Sequence, residues 1–96
     1  MKISECLINA LFLELDSLTT RIKNIKQTYL DTTHNDLRDR LIFENITISE
    51  RVNEITSIAK LVEKRSNNSI SLSSLLVEKC RRTRREIKKE NNLFFL

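Results

Sequence analysis

Apolar residues recur along the first third of the chain at alternating spacings of three and four: Ile8, Leu11, Leu15, Leu18, Ile22, Ile25 and Tyr29. This is a heptad seam, and it predicts a helix over about 3–30, roughly 40 Å long at 1.5 Å per residue. Leu7, Phe12 and Leu13 lie off the seam, so residues 7–15 are apolar almost all round and call for cover on more than one side. A second seam follows through Leu37, Leu41, Ile48, Val52, Ile55, Ala59 and Val62. Polar Asn45 holds the seam position between Leu41 and Ile48, and Thr47 with Glu50 makes a capping-box pattern. The segment 36–65 therefore reads as one long helix or as two, with a break near Asn45 slightly favoured. A third helix is expected from Ser69 or Ser71 to about Glu90, with Leu72, Leu75, Leu76, Cys80 and Ile87 on one face.

The intervals between these patterns are polar and rich in capping side chains. Asp31–Asp36 reads Asp, Thr, Thr, His, Asn, Asp, and Ser66–Ser69 reads Ser, Asn, Asn, Ser, so a turn is expected at each. The chain has no Gly and no Pro, where average usage would give roughly a dozen. Tight hairpins and Gly-rich phosphate loops both need positive φ at low cost, so they are disfavoured. The expected fold is all-α: a single domain over 1–96, an antiparallel bundle of three helices, or four if residues 36–65 break, with a short apolar tail at 91–96. The apolar area around Leu7, Phe12 and Leu13, with Ile42, Phe43 and Ile46 off the second seam, exceeds what a thin antiparallel pair covers. A homodimer is expected to cover it. Its interface is assigned to Leu7, Ile8, Leu11, Phe12, Leu15, Leu18 and Ile22, although seams of this kind more often pack within one chain.

Charge changes the picture at one place. Residues 79–90 carry seven Lys or Arg against two Glu, while the 78 residues before them hold ten basic and eleven acidic side chains. The net charge of +4 is thus a local property of the last helix. Lys79, Arg81, Arg82, Arg84, Arg85, Lys88 and Lys89 are the candidate contacts to an acidic partner. Below them the apolar face is reduced to Thr83 and Ile87, so this end of the helix is expected to project beyond the bundle. The Arg density suits phosphate contacts with RNA or DNA backbone, or an acidic protein surface. Neither interleaved aromatics nor a helix-turn-helix or zinc pattern supports base-specific recognition. A membrane surface held by the basic helix and the Leu93–Leu96 tail is the rival, and an adaptor or inhibitor binding a protein through 7–13 is a third reading. As a bland alternative, the basic run is a solvated face that only aids solubility.

Candidate chemistry is sparse. His34, the one histidine, sits in a turn beside Asn35 and Asp36 with no nucleophile near it, and no His, Cys, Asp or Glu grouping has metal-ligand spacing. Neither catalytic, cofactor-binding nor metal residues are expected, and the chain reads as a non-catalytic interaction module. Cys6 and Cys80, 74 positions apart, read as buried free thiols of a reducing compartment. Lys79, Arg81 and Arg84 would activate Cys80 if it were exposed. Glu5, Asn9 and Glu14 interrupt the first apolar run, which argues against a signal peptide, and a cytoplasmic location is expected. The sequons at Asn45 and Asn67 read as chance matches.

Overall fold

The computed structural model describes residues 5–65 and 72–94, with Glu5 and residues 92–94 followed in the backbone only. Three helices account for nearly all of it: α1 (Glu5–Asp31), α2 (Asn35–Arg65) and α3 (Leu72–Phe94), and each packs against the other two. The turn expected at Ser66–Ser69 lies outside the described residues, as do Phe95 and Leu96 of the tail. Residues 91–94 of the expected tail lie in the last turn of α3.

Both long seams bury most of their positions, but Leu18, Tyr29 and Val62 are half-buried and Leu37, near the start of α2, is exposed. Ile8, Leu11, Leu15, Ile22 and Ile25 of α1 meet Leu41, Ile48, Val52, Ile55 and Ala59 of α2 and Leu76, Val77, Cys80 and Ile87 of α3 in one continuous core. The molecule measures 51 × 20 × 15 Å. Its length is that of α2, since 31 residues at 1.5 Å rise span about 46 Å. The radius of gyration, 15.5 Å, exceeds the roughly 12–13 Å of a compact chain of this length. Accessible area follows suit: 6935 Å² against about 5,700 Å² expected for 11.3 kDa. The core is therefore a single thin layer, and much apolar surface stays outside it.

Residues 32–34 join α1 to α2 without a positive φ, which is why no glycine is needed. The Thr32 amide still donates to the Thr28 carbonyl, while the Arg38 amide donates to the His34 carbonyl and starts α2. The Thr32 hydroxyl accepts from the His34 amide, and Arg38 Nε donates to the Thr32 carbonyl at 3.0 Å. Arg38 also lies 4.8 Å above the Tyr29 ring, a cation–π contact that fastens the corner. His34 is thus an exposed, backbone-level capping residue.

Four expectations need correction. First, α2 does not break near Asn45; it runs unbroken from Asn35 to Arg65. The Asn45 amide donates to Asn91 Oδ1 at 3.0 Å instead of competing for its own backbone. Likewise Thr47 Oγ1 bonds back to the Phe43 carbonyl, a mid-helix position and not a cap. Second, the basic end of α3 does not project. Thr83 and Ile87 are buried, Lys26 of α1 pairs with Glu90 at 3.0 Å, and Asn91 meets Asn45. Small side chains at Ser73, Cys80 and Thr83 let α3 approach closely without long apolar residues. Third, Leu75 is 54% exposed. It lies at the edge of the apolar arc, and contact with both other helices turns α3 so that Ser73 and Val77 are buried instead. Fourth, Cys6 is exposed, because α1 at that point has its seam on the Ile8 side.

Candidate functional site

Ion pairs between helices set the register that builds the candidate site. Arg21 grips Glu44 through Nε and Nη2 at 2.5 and 2.9 Å, and Arg51 grips Glu14 in the same two-pronged way at 2.6 and 2.9 Å. These hydrogen bonds hold the Glu14 and Glu44 carboxyls below the ordinary range, outweighing the opposing cost of burial, with the attraction of the arginine charge a smaller addition. Arg51 additionally reaches Glu54 at 3.2 Å on its own helix. On the other flank of α1, Asp16 accepts from Lys79 and Glu90 accepts from Lys26. All four pairs are partly solvated, so each adds modestly to stability while selecting one helix register.

With that register in place, α2 and α3 leave an open groove of about 780 Å³ between them. Ser49, Val52 and Asn53 form its α2 wall. Arg81, Arg84, Arg85 and Lys88 form its α3 wall, with Ile87 low in the groove and Asn91 at one end. The four cations recur at helical spacing, so they share one side of α3, and all are exposed. Glu78 is the one carboxylate in the lining. It lies 3.4 Å from Arg81 and 3.9 Å from Arg85, loose contacts on an exposed surface that leave the groove strongly positive.

The seven cations singled out in the sequence thus divide. Arg81, Arg84, Arg85 and Lys88 come together in the groove. Arg82 and Lys89 are exposed on α3 outside that lining. Lys79 is taken up by Asp16 of α1, on the flank away from the groove. Of the residues assigned to a dimer interface, Ile8, Leu11, Leu15 and Ile22 are buried inside the one chain, Phe12 and Leu18 pack partly against its core, and Leu7 is exposed. Ser49 and Asn53 had no chemical signal in the sequence. Their one available signal is positional: they flank the Asn45–Val52 side of the α2 seam, which faces α3.

Cys80 lies at the back of this wall, fully buried, and burial pushes its thiol pKa up against the smaller opposing effects of a Thr56 hydrogen bond and the Arg84 and Lys60 charges. The activated-thiolate reading is therefore overturned: the lysines and arginines are near, but desolvation dominates. Asn45 is 3% exposed, and its Oδ1 lacks a hydrogen-bond partner. Among the described residues, no three His, Cys, Asp or Glu side chains are grouped to hold a metal ion, and no helix is long and apolar enough to cross a membrane. No protein-family model, curated protein or solved structure matches the chain.

Proposed function

We propose that this protein is a non-catalytic helical interaction module that binds an acidic partner in the groove between α2 and α3. One observation carries the reading: four exposed cations from two successive turns of α3 line a single groove opposed by one carboxylate. A solvated face kept only for solubility would have no reason to gather its charge against a neighbouring helix. Arg81, Arg84, Arg85 and Lys88 are the binding residues, with Arg82 and Lys89 adding long-range attraction.

The bundle that presents the groove is a single domain of up-down-up, antiparallel-neighbour topology. Supporting this, Glu14–Arg51 and Arg21–Glu44 climb α1 while descending α2. Asn45–Asn91 and Thr56–Cys80 do the same between α2 and α3, whereas Asp16–Lys79 and Lys26–Glu90 climb α1 and α3 together. Homodimerisation is the second reading, and Leu13 and Phe43, each 71% exposed, favour it over a solitary chain. The two free cysteines suit a reducing compartment such as the cytoplasm.

The test is binding of two labelled polyanions, polyglutamate and a single-stranded oligonucleotide, by fluorescence anisotropy. Charge reversal at Arg84 and Lys88 should weaken whichever is bound by at least about tenfold at constant helicity. Unchanged binding of both would remove the groove from the function.

A further inference from the structure

Resting on the acidic-partner reading, we propose that the occupant of the α2–α3 groove is an acidic amphipathic helix of another protein. The cleft between two packed helices is the seat that a third helix takes when ridges fit grooves. The cations at 81, 84, 85 and 88 extend over two turns, about 10 Å of axis. That matches carboxylates at positions i, i+3 or i+4, and i+7 of a ligand helix. The opposite wall is not charged. Ile46, 49% exposed, lies at helical spacing from Ser49 and Asn53 just beyond this lining. A ligand with an apolar stripe along Ile46 and an acidic flank along α3 satisfies both walls at once.

A nucleic-acid backbone satisfies only one. Among the described residues no aromatic side chain lines the groove for bases to stack on, and phosphates gain nothing from Ile46. Glu78 on the rim repels a continuous polyanion but faces a ligand helix at a single position. A backbone binder would also draw equally on Arg82 and Lys89, which lie outside the lining.

The experiment compares a labelled synthetic helix, leucines on one stripe and glutamates beside it, with a scrambled peptide of identical composition and an oligonucleotide of equal charge. Each is titrated against the full chain and three variants: R84E/K88E in the groove, R82E/K89E outside it, and I46E on the apolar wall. All four positions mutated for charge are exposed, and circular dichroism checks that helicity is kept. Expected are at least about tenfold tighter binding of the amphipathic peptide than of its scramble, and about tenfold losses for R84E/K88E and I46E. R82E/K89E should cost under about threefold. Equal binding of peptide and scramble, with the groove pair still dominant, overturns the helix inference while leaving the acidic-partner reading intact. Tighter binding of the oligonucleotide, with both charge pairs costing the same, overturns the helix inference in favour of phosphate backbone. Indifference of every probe to every charge reversal overturns the reading on which it rests.

Discussion

Leu15 and Leu13 are the same residue two positions apart on α1, with opposite fates: 0% and 71% exposed. Replacing either by Ala changes helix propensity equally, so the difference between the two variants isolates burial. At Leu15 the substitution removes side-chain volume from the centre of a core one layer thick, where α1 meets both neighbours. The transfer of the deleted methyl and methylene groups amounts to about 2 kcal/mol, and the cavity left by incomplete collapse brings the loss to about 3 kcal/mol. A chain of this length has about 5–14 kcal/mol to lose. The melting temperature should therefore fall by roughly 12–24 °C for L15A and change little for L13A. Thermal unfolding followed by circular dichroism reads both, run at low and high protein concentration because a seam that closes between chains would make Tm rise with concentration. An L15A cost under about 1 kcal/mol, or an equal cost for L13A, would refute burial of the seam within one chain.

Two further outcomes follow from the same contacts. Since Arg51 and Arg21 hold the Glu14 and Glu44 carboxyls below their unfolded value of about 4.3, their contribution is complete above that pH and is lost as pH falls through the depressed folded values. The urea midpoint of the native chain should fall more between pH 5 and pH 3, taken as rough bounds, than that of E14Q/E44Q; parallel pH profiles would show that the pairs contribute nothing. For the thiols, one modification per chain is expected under native conditions, at exposed Cys6, with Cys80 reacting only after unfolding. Native labelling of Cys80 detected by peptide mapping would contradict its burial.

The seams of α1 and α2 could be read from sequence because most of their buried positions are apolar side chains recurring at spacings of three and four. At Asn45 this reading failed for a tertiary reason: the partner that keeps the helix intact is Asn91, 46 residues away, and no local pattern announces it. The same is true of Glu14 with Arg51 and Arg21 with Glu44, pairs 37 and 23 residues apart that no local pattern announces. On α3 the charge density was visible, but its division was not. Whether a cation lines the groove, faces outward or is taken by Asp16 depends on the angle at which α3 docks, and small residues such as Ser73 and Thr83 decide that angle without any hydrophobic signature. Ile8, Leu11, Leu15 and Ile22, assigned to a dimer interface from their seam, are buried within the one chain, because spacing alone does not say whether the covering helix belongs to the same chain.

The groove's role is tested most directly by mapping amide chemical shifts of the isotope-labelled chain while an acidic amphipathic peptide is added. The account predicts perturbations gathered at Ile46, Ser49 and Asn53 on α2 and from Arg81 to Asn91 on α3, with α1 nearly silent along its exposed side near Leu13 and Thr20. Perturbations centred on α1, or spread evenly over every charged surface, would contradict it.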